Sequence, residues 1–214
     1  MDEPTRVFAL RHGQTAWNAQ QRIQGQIDVP LDDTGRWQAA RLAQALAGED
    51  LAAIYSSDLL RAHATAQALA AVIGLPVRTQ ASLRERAFGR FEGATHAEIE
   101  LRWPEDAARW RRREAGYGPG GGEPLADFYA RSVAALTQLA ARHPGQAIAV
   151  VAHGGVLDCL HRAAMRIALD APRTWQLGNA GINRLLYTGE GWTVVGWNDA
   201  AHLEGEGSAG AAEA

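Results

Sequence analysis

Two short apolar runs in this chain break off into the same dipeptide. Val7 to Leu10 is followed by Arg11-His12-Gly13, and Gln146 to Ala152 by His153-Gly154-Gly155. The second run is the most apolar, β-branched stretch of the sequence and reads as a central strand buried on both faces of a parallel sheet. The first is too short for a helix and reads as another strand. In a parallel sheet the C-terminal ends of the strands share one edge, where open α/β sheets place their ligands. His12 and His153 are therefore expected to face each other across one crevice.

The rest of the chain alternates in the way such a sheet requires. A long polar loop over residues 20–31 precedes Asp32-Asp33-Thr34-Gly35, which opens a helix running to about Leu46. Leu51 to Tyr55 reads as a strand, and Ser56-Ser57-Asp58 offers cap residues for a helix carrying Arg61, Thr65 and Leu69 that Gly74 closes. Val77 to Thr79 is a short strand. Leu83 to Gly93 has no clear period, residues 95–113 look helical, and Gly116 to Pro124 holds five glycines and two prolines and must be a loop. Leu125, Phe128, Ser132, Leu136 and Leu139 mark an amphipathic helix. Another helix follows Gly155, and residues 181–187 and 192–197 read as a closing hairpin. The class is α/β: a three-layer sandwich with a mostly parallel central sheet and helices on both faces. Residues 1–204 read as a single domain, and the tail 205–214 lacks core residues, so its composition predicts mobility.

Composition narrows the function classes. A net charge of −3 gives no reason to expect nucleic acid or an anionic membrane as partner. The one cysteine, Cys159, excludes an internal disulfide, and no apolar run approaches membrane-spanning length. The cytoplasm is the expected compartment, and the expected partner is a small ligand, with the chain a monomer or homodimer.

The neighbours of the paired histidines indicate which ligand. There is no His-x-His or His-Glu-x-x-His, and no aspartate or cysteine beside either residue, so a metal site is not expected. A serine hydrolase would need a Gly-x-Ser-x-Gly turn, and none occurs. Arg11 stands beside His12, and Arg61 opens a helix after another strand. Arginine forks bind phosphate through paired hydrogen bonds and repel divalent cations. The chemistry that fits is nucleophilic attack by histidine on phosphorus, without metal or cofactor. Arg11, Arg61 and a protonated His153 would all disfavour imidazolium at His12, keeping it neutral for attack. Glu85, in the unpatterned loop at the same sheet edge, is the carboxylate best placed to protonate a leaving oxygen.

Four ordered motifs then bring a resemblance. They are Arg11-His12-Gly13-x-Thr15-x-Trp17-Asn18 with Gln24-Gly25; Tyr55-Ser56-Ser57-Asp58-Leu59-x-Arg61-Ala62; Leu83-Arg84-Glu85 through Glu92-Gly93; and Val150-Val151-Ala152-His153-Gly154-Gly155. Together they closely resemble the histidine phosphatase superfamily, also called phosphoglycerate mutase-like, over residues 6 to roughly 200. The resemblance implies that His12 is the phosphorylated nucleophile, that Arg11, Arg61 and His153 form the phosphate pocket, and that Glu85 is the proton donor, with Glu92 as alternative. It implies Asn18, Gln24, Gly25, Arg86 and the Gly154 amide as further phosphate or substrate contacts; Thr15 belongs to the same loop and reads as its brace. Residues 94–124 are the expected specificity insertion.

Within that family the expected activity is phosphomonoester hydrolysis, with a bisphosphoglycerate-dependent mutase as the rival and a non-catalytic phospho-ligand binder as a reading from another class. Glu85-Arg86-x-Phe88-Gly89 and Trp110-Arg111-Arg112 resemble the mutases. Gly155-Val156 and Gly93-Ala94-Thr95-His96 depart from the mutase pattern, while Thr15, the Gln24-Gly25-Gln26 loop and Gly122-Glu123 resemble the broad-specificity phosphatases. His63, Cys159 and His161 read as packing residues, Trp17 and Trp103 as core filling near the pocket, and Arg109 to Arg113 as a solvated helix face.

Overall fold

The computed structural model describes residues 3–204, so the tail 205–214, read above as mobile, lies outside it. Its strands are β1 (Thr5–Arg11), β2 (Leu51–Ser56), β3 (Val77–Thr79), β4 (Ala147–Ala152), β5 (Ile182–Thr188) and β6 (Gly191–Asp199). They form one sheet in the order β3-β2-β4-β1-β5-β6. β1 to β4 run parallel, and the hairpin β5–β6 joins antiparallel at β1. β1 and β4 are neighbours, in register from Arg6 opposite Ala147 to Arg11 opposite Ala152. His12 and His153 therefore leave adjacent strands at the same level.

Both faces of the sheet are covered, as the sequence pattern requires. Along β1, Val7 and Ala9 face one side while Phe8 and Leu10 face the other; along β4, Ile148 and Val150 alternate with Ala149 and Val151. The first side packs against α6 (Leu125–Ala140) and α7 (Gly154–Met165), the second against α2 (Asp33–Ala45) and α3 (Leu60–Ile73). A third, smaller cluster lies outside this sandwich. Phe91, Ala94, Ile99 and Ala107 pack with Ile23, Phe88, Trp103 and Trp110. It holds together the segment that walls the crevice.

That segment departs from the sequence expectation. Residues 95–113 are two helices, α4 (His96–Arg102) and α5 (Pro104–Arg111), with α1 (Ala16–Ala19) the short helix earlier in the chain. Trp103 sits between α4 and α5 at φ −141° and ψ 62°. The ring of Pro104 disfavours helical geometry at the residue before it, and proline is itself well suited to the first position of the next helix. A second departure concerns α3. Its first turn is capped from a distance, by Asp28 Oδ1 accepting the Leu60 N–H at 2.7 Å, and not by Asp58. Asp58 instead takes both arms of Arg84, at 2.8 and 2.6 Å.

Candidate active site

The turn after β1 is shaped by backbone contact. A Cβ at Gly13 would stand 2.4 Å from the Gly35 carbonyl oxygen, and one at Gly35 would stand 1.9 Å from that of Gln14. The loop and the start of α2 thus meet main chain to main chain, which only glycine permits. Asp32 caps α2 through the Gly35 N–H at 2.7 Å and donates its own N–H to Gln14. The Gly13 N–H donates to Thr65 Oγ1 on α3 at 3.0 Å. Thr15 caps α1 in a reciprocal box with Asn18, is fully buried, and does not line the cavity. It is a brace, as its place in the loop implies.

These contacts hold His12 almost fully buried, with Nδ1 2.7 Å from the Gly13 carbonyl. A carbonyl can only accept, so Nδ1 carries the proton and Nε2 keeps a free lone pair. Burial, followed by the nearby Arg61 and Arg11 cations, lowers the His12 pKa well below 6.5. The result is a neutral imidazole in one tautomer. His153 is fully buried, its ring centroid 5.2 Å from that of His12. Burial and the same two arginines lower its pKa well below 6.5 too. A protonated His153, expected from the sequence as a third cation acting on His12, is therefore not what the free protein holds; Arg11 and Arg61 supply the charge.

Arg61 is 1% exposed and is held from two sides. Its Nη2 donates to the Gly25 carbonyl at 2.7 Å and Nη1 to that of Ile27 at 3.0 Å. Arg11 donates through Nη1 to the Leu177 carbonyl, and burial is the main cause that pulls its pKa down to about 10, which leaves it cationic. Gly154 is the first residue of α7, where main-chain N–H groups have no helical acceptor and the helix dipole favours an anion. Arg11, His12, Asn18, Gln24, Gly25, Arg61, Glu85 and Gly154 all line one cavity of about 220 Å³.

The hydrogen-bond accounting of this cavity is unusual. Arg11 Nε, Arg61 Nε, Gln24 Oε1 and both ring nitrogens of His153 are buried without a partner among the described residues. Buried polar atoms are nearly always paired. Arg11, Arg61 and Gln24 line the cavity, while His153 does not line it and stands behind it against His12. Orphans so gathered, most of them donors or able to donate, describe a place where an oxyanion supplies the acceptors. Among the described residues, no three His, Cys, Asp or Glu side chains come together as a metal ion would require.

Glu85 lines this cavity and a larger one of about 510 Å³ that adjoins it, the two sharing Glu85, Phe88, Gly155 and Arg173. Its oxygens accept N–H bonds from Arg86 and Gly155, both at 2.8 Å. Glu92, the other carboxylate of the loop, does not line either cavity. It accepts the Gln26 and Phe88 N–H groups and lies beneath Gly25, where a Cβ would come within 2.0 Å of it. Arg86 lines only the larger cavity, 4% exposed, with Nε and Nη2 donating to the Glu123 and Tyr117 carbonyls. It ties the Glu85 loop to the glycine-rich loop.

Four further residues take part; Thr65 lies in the motif that carries Arg61, with no role read for it there, and the other three had no signal in the sequence. Thr65 receives Gly13, Asn179 Nδ2 reaches the His12 carbonyl at 3.1 Å and Asn18 Oδ1 at 3.3 Å, Leu177 receives Arg11, and Arg173 lines both cavities. Three of them belong to residues 166–181, which carry neither periodicity nor motif. The Arg109–Arg113 run is only partly the solvated face expected. Arg109, Arg111 and Arg112 pair with Glu114 or Glu100 at the surface, whereas Arg113 turns inward to Asp158 and the Leu169 carbonyl.

The chain is similar to known proteins in sequence and in fold. The sequence profile described as histidine phosphatase superfamily (branch 1) matches residues 7–200. The chain is 40% identical to phosphoglycerate mutase-like protein 4 of Arabidopsis thaliana, over 94% of this chain and 88% of that protein. It is 36% identical to the metal-independent phosphoserine phosphatase of the same plant, over 96% of this chain and 86% of that one. A solved structure of mycobacterial glucosyl-3-phosphoglycerate phosphatase with VO3 superposes with a TM-score of 0.82 at 35% identity, covering 91% of this chain and 99% of the other.

Proposed function

The chain belongs to the histidine phosphatase superfamily, and from that premise we propose that its cavity hydrolyses small phosphomonoesters through a phosphorylated His12. Phosphomonoester hydrolysis is the activity that its phosphatase relatives share. Phosphoserine and glucosyl-3-phosphoglycerate, the substrates in their names, set the size class. The observation that carries the assignment of residues is the set of unpartnered buried groups on Arg11, Arg61 and His153 beside a neutral His12 whose Nε2 is free.

In this reading Arg11, Arg61, one N–H of His153 and the Gly154 amide hold the three phosphoryl oxygens. They act hardest as charge spreads over those oxygens in the transition state. His12 Nε2 attacks phosphorus, and the ester P–O bond breaks. The leaving oxygen departs toward the larger cavity and takes a proton from Glu85, which stands where the two cavities meet. Water then attacks phosphohistidine, gives its proton to the Glu85 carboxylate, and releases inorganic phosphate with His12 restored.

A panel of phosphomonoesters, assayed for inorganic phosphate beside a mutase assay supplied with bisphosphoglycerate, tests this. Phosphate release exceeding phosphoryl transfer to a second substrate hydroxyl is the expected result. Transfer without release would make the chain a mutase, and neither activity would leave it a binder of phosphorylated ligands.

A further inference from the structure

Resting on the hydrolase reading, we infer that Arg173 grips a second negative group, carried by the leaving group, and so sets which phosphomonoesters the protein prefers. The larger cavity is lined by four arginines, Arg86, Arg111, Arg113 and Arg173, against two carboxylates, Glu85 and Asp158. Three of the four are already committed. Arg86 donates to two carbonyls, Arg111 pairs with Glu100, and Arg113 binds Asp158 and the Leu169 carbonyl. In the smaller cavity Arg11, Arg22 and Arg61 also donate to protein carbonyls. Arg173 alone of the cavity arginines donates to no acceptor among the described residues.

Its backbone, in contrast, is firmly placed. Just before it, the Ala171 carbonyl receives Nη2 of the buried Arg162 at 3.0 Å, and Pro172 fixes the next φ. Just after it, the Trp175 ring stacks on His161 at 4.1 Å, and buried Leu177 receives Arg11. An exposed, unpaired guanidinium is thus carried on a braced segment at the junction of both cavities, close enough to Arg11 to act on its charge. The phosphate site lies on one side of that junction and the room for a leaving group on the other. A planar fork so placed matches a carboxylate or a second phosphate a few bonds from the ester oxygen.

The test uses substrate pairs that differ by one anion. O-phosphoserine against O-phosphoethanolamine and 3-phosphoglycerate against glycerol 3-phosphate add a carboxylate; fructose 1,6-bisphosphate against fructose 6-phosphate adds a phosphate. The wild-type protein should favour the more anionic member of at least one type by about 10- to 100-fold in kcat/KM, the range of a charge-assisted hydrogen bond. Which pairs respond identifies the anion. In Arg173→Ala that ratio should fall to near one, and Arg173→Lys should restore part of it, since lysine returns the charge without the fork. A ratio unchanged in Arg173→Ala, or a wild type indifferent to the added anion, would overturn the inference while leaving hydrolysis standing. No turnover of any pair by the wild-type protein would remove the hydrolase reading and this inference with it.

Discussion

Glu85→Gln separates chemistry from architecture most sharply. The carboxylate accepts two backbone N–H bonds, from Arg86 and Gly155. In glutamine one oxygen becomes an NH2, which faces one of those donors and loses that bond. The residue is only half-buried, so solvent softens the loss, which is about 1–2 kcal/mol. For a chain of this length that lowers Tm by about 2–8 °C, and a domain of ordinary stability remains folded at assay temperature. Loss of general acid catalysis costs far more, about 100- to 10,000-fold in rate. The full loss should appear with sugar phosphates, whose alkoxides need a proton to leave. With p-nitrophenyl phosphate the leaving group needs little help, so phosphorylation of His12 should survive while hydrolysis of the phosphoenzyme still lacks its base. Stopped-flow measurement of nitrophenolate should then show a burst close to one equivalent before a slow steady state. Equal damage to both substrate types, with no burst, would refute the acid–base role and leave Glu85 as a shaping residue.

Other consequences follow from the same geometry. His12 and His153 have folded pKa values well below 6.5, so below about pH 6.5 the unfolded chain binds more protons than the folded one. Their contribution is complete above that pH and is lost as pH falls, by up to about 1.4 kcal/mol per pH unit for each histidine; Tm should drop from pH 7 to 5, and less steeply in His153→Asn. For the same reason kcat/KM should show no acidic limb near pH 6.5 assignable to His12. Asp158→Ala removes the counter-charge of Arg162, fully buried, bound to Asp158 Oδ2 at 2.9 Å and otherwise donating to the Ala168 and Ala171 carbonyls, and also frees Arg113; it should cost about 3–5 kcal/mol, or about 6–20 °C by thermal denaturation. Asp158→Ala with Arg162→Leu should recover part of that, and no recovery would contradict the charge argument. Prolonged chelation should leave turnover unchanged, and loss that zinc or magnesium restores would revive a metal at the paired histidines.

Strand ends and the chemistry attached to them were legible because they are local. β4 ends at Ala152, where its continuous apolar run ends, and two His-Gly pairs in a parallel sheet can only fall on one edge. What escaped depends on approaches between distant segments. The α3 cap comes from Asp28, across a loop, because Asp58 finds a stronger partner in Arg84. Glu92 resembles an acid in sequence, yet it is spent on pinning Gln26 and Phe88. Arg86, expected to contact substrate, is held by carbonyls 31 and 37 residues further along the chain. Arg173 sits in a stretch without period, and only the pairing of every other cavity arginine makes it visible. The break at Trp103 was readable from Pro104 and shows that a helical pattern must yield to the proline rule.

Phosphate on His12 is the central claim, and it can be trapped. Protein mixed with labelled substrate and quenched within a turnover should carry phosphate that is labile in acid and stable in base, on the peptide containing His12. The His12→Ala protein should be folded, carry no label and release no phosphate. Label on serine, aspartate or cysteine, or substantial turnover by His12→Ala, would contradict the account.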